Sequence, residues 1–86
     1  MDINSLNLII EKKISQNISC KKIIIEDKTY LHKNHKSHEK DKFHIKLIIK
    51  SDELLKMNRI ESTKKIYKIL DDEIKNYIHS IQILIN

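Results

Sequence analysis

Five histidines and one cysteine carry the ligand and nucleophile chemistry of this 86-residue sequence. His32, His35 and His38 recur at every third position of one polar segment, His44 follows it, and His79 lies near the end. Neutral imidazole is a ligand for borderline metals, and a polar loop can carry one to a site that a second molecule completes. The plainer reading of the same segment is a solvated basic loop in which the imidazoles are incidental. A zinc site closed within the chain is not expected, because Cys20 is the single cysteine and H-x-x-H-x-x-H is not a zinc-finger spacing. One cysteine also excludes an internal disulfide and fits a reducing, cytoplasmic setting. With apolar neighbours on one side only, Cys20 reads as a half-buried inert thiol. A sequence without glycine has no glycine-rich phosphate loop. No serine, histidine and acid stand out as a catalytic set, so an enzyme is not expected. Tyr30, Phe43, Tyr67 and Tyr77 are assigned to core or sheet edge rather than to a base-stacking platform.

The formal charge of +5 invites a nucleic-acid partner, but the composition weakens that inference. The chain has 16 Lys, one Arg, 19 Ile and seven Asn, and no Gly, Pro, Ala, Val or Trp. Lys, Ile and Asn are what an AT-rich coding sequence favours, so much of the lysine excess reads as mutational bias. A face selected for phosphate would keep more arginine, whose planar fork pairs two oxygens at once. No apolar run exceeds three residues, which excludes a membrane helix of about 20. Met1-Asp2-Ile3-Asn4 lacks the charged and apolar regions of a secretory signal, and none is expected.

The elements that must position these residues follow from periodicity. Leu6, Ile9, Ile10 and Ile14 fall at helical spacing, with Asp2 or Asn4 available as a cap, and predict a helix over about 3–15. Ile23-Ile24-Ile25 is a short β-branched run and predicts a strand. Phe43, Ile45, Leu47 and Ile49 alternate with His44, Lys46, Ile48 and Lys50, the two-residue period of a half-buried strand. Ser51-Asp52-Glu53 opens a short helical turn, and Asn58-Arg59-Ile60-Glu61 has the spacing of a capping box. The longer helix that follows carries Ile66, Ile69, Leu70, Ile74 and Tyr77 on one stripe and is expected to stop at Asn76 in a left-handed conformation. Ile81, Ile83 and Ile85 share one parity in the last strand, and His79 is placed on that parity too. The expected fold is α+β: a single αββααβ domain over 1–86, with a three-stranded mixed sheet covered on one face by helices. The first two strands are expected antiparallel and the last parallel to one of them, since it returns after a helical crossover. About 16 residues, Asp27 to Lys42, separate the first two strands, far more than a hairpin needs. Residues 30–42 are expected to be the most mobile internal stretch.

From 23 to 85 these residues resemble the BolA family. Glu26-Asp27-Lys28-Thr29, His32 and Asn34-His35 are similar to the family's D-x-S/T-x-x-H segment and its trailing G-H. Phe43-His44-Ile45-Lys46-Leu47 resembles the S/T-H-F-x-V that opens the second strand, and Ser51-Asp52-Glu53-Leu54 its S-x-x-F. Ile66-Tyr67, Leu70 and Asp72-Glu73-Ile74 resemble its V-Y-x-x-L-x-[DE]-E-L helix, and Ile78-His79-Ser80-Ile81 its terminal [VI]-H-A-[LI]. From 51 to 83 the match needs no gap. Two departures stand out: the family's R-H-R reads Ser62-Thr63-Lys64, and the glycine after S-x-x-F reads Lys56.

The resemblance implies a class II KH-like fold and a partner, a monothiol glutaredoxin. It further implies a bridging [2Fe–2S] cluster whose thiolates come from glutaredoxin and glutathione, with none in the isolated chain. By position, His79 is the implied ligand from the last strand. His32, or His35 as its alternative, is the implied ligand from the loop. The implied role is iron–sulfur cluster trafficking or iron sensing. Imidazole in place of thiolate raises reduction potential and makes ligation proton-sensitive. The alternative is a DNA-binding transcriptional regulator of the BolA type, contacting DNA through the lysine-rich loop and the long helix, with Arg59, Lys64 and Lys65 as the candidate residues. KH-type RNA clamping needs a G-x-x-G loop that this chain lacks. No membrane partner is expected, and alone the chain is expected to be a monomer or weak homodimer.

Overall fold

A computed structural model describes residues 1–32 and 42–86. Helix α1 runs Ile3–Asn17, and Asp2 is its cap, accepting the Ser5 N–H at 2.7 Å. Leu6, Ile10 and Ile14 are buried along its inner stripe. Strand β1 (Lys22–Asp27) leads into a 3-10 helix, Thr29–His32, so the long connection begins with one helical turn. His35, His38 and most of the stretch expected to be mobile lie outside the described residues. Strand β2 (Phe43–Lys50) is followed by α2 (Asp52–Leu55), α3 (Arg59–Ile69), α4 (Asp71–Asn76) and strand β3 (Ile78–Ile85).

The sheet order is β1-β2-β3, with β1 antiparallel and β3 parallel to β2, as the alternation and the helical crossover imply. Ile45, Leu47 and Ile49 turn toward the helices and join Leu6, Ile10, Ile14, Ile18, Leu54, Ile66, Leu70 and Ile78 in one core. The other face of the sheet is open and carries His44, Lys46 and Ile48 of β2 beside Ser80, Gln82 and Leu84 of β3.

Several local expectations need correction. The long helix bends at Leu70, whose φ of −100° and ψ of 19° leave the helical region. Hydrogen bonds nevertheless cross the bend, from Leu70 N to Ile66 O and from Ile74 N to Leu70 O. Leu70 is fully buried, and the bend carries Glu73 inward, where its carboxylate accepts from Lys13 Nζ at 2.7 and 2.8 Å. The helix ends at Asn76 without a left-handed residue, since no described residue has positive φ. Instead Tyr77 N donates to Glu73 O, and Asn76 Nδ2 donates to Asp72 O. At the start of α3, Asn58 Oδ1 accepts the Glu61 N–H as a cap should, but Glu61 Oε1 accepts the Asn58 side-chain amide rather than its backbone N–H. Phe43 and Tyr77 pack against the core, whereas Tyr30 and Tyr67 are exposed.

The junction after β2 is held by one buried hydroxyl. Ser51 Oγ donates to Ser19 O and accepts the Leu54 N–H, while Ser51 N donates to Asn86 O. That residue thus caps α2 and ties the end of β2 to the α1–β1 connection and to the end of the chain. Lys56, where the resembling family has glycine, sits at φ −74° and ψ −17°, a right-handed conformation that any side chain tolerates.

Candidate functional site

Two features place His79 in the open. Phe43 pairs with Ile78, but His44 pairs with Ser80, so His79 is the extra residue of a β-bulge. The bulge shifts the strand's parity: Ile78 is buried, His79 and Ser80 are exposed, and Ile81, Ile83 and Ile85 return toward the core. The sequence parity that grouped His79 with Ile81 is therefore wrong, because alternation cannot register an inserted residue.

Beside it lies His44, which spacing alone did not single out. Its ring is only 5% exposed although it belongs to the open side of β2, where Lys46 and Ile48 are half-buried and Lys50 is exposed. Nδ1 shares a 2.6 Å hydrogen bond with Ser80 Oγ, and the ring meets that of His79 with centroids 4.9 Å apart and planes tilted by 55°. The main chain of His44 is tied on its other side to the 3-10 helix. His44 N donates to Thr29 Oγ1 at 3.1 Å, and Lys28 N donates to His44 O at 2.7 Å. Thr29 is in turn fixed by Asp27, whose Oδ1 accepts both its N–H and its hydroxyl. This is the local turn that Asp and Thr two residues apart favour. The signal was present in Asp27-Lys28-Thr29, but its target on β2 lies 15 residues away.

Of the implied donors, His79 stands exposed at the start of β3, and the backbone of His32 closes the 3-10 helix anchored to His44. His35 lies outside the described residues. Among the described residues no group of three or more His, Cys, Asp or Glu could hold a metal ion. Cys20 is half-buried at the opposite end of β1, its Sγ donates weakly to Ile18 O at 3.5 Å, and burial pushes its thiol pKa up. Arg59 and Lys64 are exposed, with Arg59 beside Thr63 and Tyr67 in a shallow groove against β3. Lys65 donates to Glu53 at 3.0 Å, and that ammonium holds the Glu53 carboxyl below its ordinary range.

The arrangement is that of a small α+β domain of αββααβ order that displays an imidazole at a bulge. The chain belongs to the family of BolA-like proteins, whose model matches residues 14–86. It is 27% identical over 77 residues to the DNA-binding transcriptional regulator BolA of Haemophilus influenzae, covering 90% of this chain and 72% of that protein. Its fold is similar to the BolA domain of SufE1 from Arabidopsis thaliana, with a TM-score of 0.78 at 23% identity over 100% of this chain and 93% of that one. It is also similar to BolA1 from Arabidopsis thaliana, with a TM-score of 0.75 at 24% identity over 90% and 85% of the two chains. Among the described residues, no helix is long and apolar enough to cross a membrane.

Proposed function

We propose that this chain is an adaptor that pairs with a monothiol glutaredoxin and lends imidazole to a [2Fe–2S] cluster bridging the two, in iron–sulfur trafficking or iron sensing. His79 is the donor from β3, and a histidine of the β1–β2 connection, His32 or else His35, is the second. The observation that carries this reading is the exposed His79 on a bulge, its ring against that of His44, whose main chain is bonded to the turn that leads to His32. The donor set fits such a group. Imidazole ligates neutral, so two of them add no charge to a cluster whose thiolates are brought by glutaredoxin and its glutathione. The bound cluster would supply electron storage; the chain's part is to present nitrogen lone pairs.

The test mixes the protein with a monothiol glutaredoxin, glutathione, iron and sulfide, and records visible absorption and circular dichroism. A spectrum distinct from that of the glutaredoxin alone, altered by His79→Ala, is the expected result. An unaltered spectrum from the His79→Ala complex refutes the site.

The name of the Haemophilus relative and the exposed Arg59 and Lys64 favour a second reading, contact with DNA. Lysine contacts to phosphate release counterions, so such binding falls steeply with salt, whereas a cluster-bridged complex responds far less. Tight, salt-sensitive and sequence-selective duplex binding by the cluster-free protein would reverse the order of the two readings.

A further inference from the structure

We infer that His44 is a positioning residue for the displayed imidazole: its buried ring, braced by Ser80, sets the orientation of the His79 ring, while its main chain holds the turn that ends on His32. The inference rests on the reading of His79 as a donor, and it adds a role for a histidine that ligates nothing.

The first argument is the cost of the ring. A buried imidazole must satisfy its polar edges, which an isoleucine, the commonest residue of this chain, would not have to do. The position is on the open side of the sheet, so the helical core does not demand burial there. What the imidazole supplies is a polar edge for Ser80 Oγ at 2.6 Å and a flat face for the His79 ring at 4.9 Å. A branched aliphatic side chain supplies neither.

The second argument is presentation. An exposed side chain on a bulge has several rotamers within reach, and each must be given up when a shared ligand set closes. Contact with a fixed ring narrows that choice before the partner arrives. His44 is fixed from three directions: Ser80 on Nδ1, Thr29 on its backbone N–H and Lys28 on its carbonyl. Thr29 is itself locked by Asp27 and opens the 3-10 helix that closes on His32. One residue is therefore the common reference for both donor-bearing segments. Its own burial and its engaged Nδ1 keep it out of the ligand set.

Ser80 provides the cleaner perturbation, because its side chain is exposed and its loss leaves the core intact. In the free protein, three-bond couplings and long-range proton–nitrogen spectra of selectively labelled histidine report the rotamer and tautomer of His79. The wild type should show one dominant rotamer, Ser80→Ala an average over several, and Ser80→Thr, which keeps the hydroxyl, a return toward wild type. In the glutaredoxin complex, Ser80→Ala should bind the same iron and sulfide but lose cluster on the order of tenfold faster, as loss of an outer partner of a metal ligand does. His44→Leu should reproduce both effects, and the Ser80 pair decides the matter if that variant does not fold. Averaged His79 couplings in the wild type, or wild-type couplings in Ser80→Ala, overturn the inference. If the wild-type complex holds no cluster, the adaptor reading fails, while the couplings still decide whether His44 orients His79.

Discussion

Replacing His79 with alanine separates a residue that builds the fold from one that the fold displays. In the free protein the change removes an exposed ring and its contacts, among them the tilted one with His44 at 4.9 Å. Tilted ring pairs contribute about 0.5–1.5 kcal/mol, and with one ring in water the lower end applies. For a domain of this size that corresponds to a fall of about 2–4 °C in Tm. His44→Ala makes the contrast. It empties a site only 5% exposed and removes the 2.6 Å bond to the Ser80 hydroxyl, which water can replace, so the loss, set by the emptied volume, should be about 2–4 kcal/mol. Urea and thermal unfolding of the two cluster-free variants, followed by far-ultraviolet circular dichroism, gives the comparison directly. In the glutaredoxin complex both variants should perturb the visible spectrum, but His79→Ala should do so with its fold intact. Equal destabilisation by the two substitutions would refute the reasoning, since it would make His79 a packing residue.

Other outcomes follow from the ion pairs, the caps and the thiol. Lys13→Met and Glu73→Gln should cost unequal amounts, because the Glu73 side chain is 6% exposed and that of Lys13 35%. The first strands a buried carboxylate at about 3 kcal/mol. The second leaves an ammonium partly in water at about 1 kcal/mol, and equal urea midpoints would contradict the geometry. The hydrogen bond to Glu73 raises the pKa of Lys13, so the pair's contribution is complete below the ordinary value of 10.5 and lost as pH climbs through the raised one. Glu73→Gln should flatten that alkaline limb. The Ser5 N–H lowers the pKa of Asp2, so its capping is complete above the ordinary 3.8 and lost as pH falls through the lowered value. Faster amide exchange at Ser5 in acid, blunted in Asp2→Asn, is the check. Cys20 should alkylate more slowly in the folded protein than in urea, and equal rates would show that burial does not protect it.

The fold was legible where side-chain period and burial coincide. Ile45, Leu47 and Ile49 marked β2, and Leu6, Ile10 and Ile14 marked α1, because each set faces a single core. The capping residues Asp2, Ser51 and Asn58 were legible for a similar reason, their chemistry being local. Features set by distant partners were not. The bend at Leu70 belongs to a buried side chain and to a Glu73 that reaches Lys13 across 60 residues of sequence. The bulge at His79 depends on β2, and no pattern within β3 announces it. The candidate donors, His79 and His32 or else His35, come from the resemblance alone. Their bracing through Thr29, His44 and Ser80 needed the three segments to be brought together.

The bulge also bears on how this chain can change by descent. Remove His79 from the text of β3 and the remainder reads Ile78, Ser80, Ile81, Gln82, Ile83, Leu84, Ile85, an unbroken alternation with every isoleucine on the core side. The displayed histidine is thus an extra residue in a strand whose alternation is complete without it. Core and display are separately editable: substitution at this position leaves the isoleucine register alone, and even its deletion restores a regular strand. The isoleucine register of the core sets no requirement for a histidine at this position.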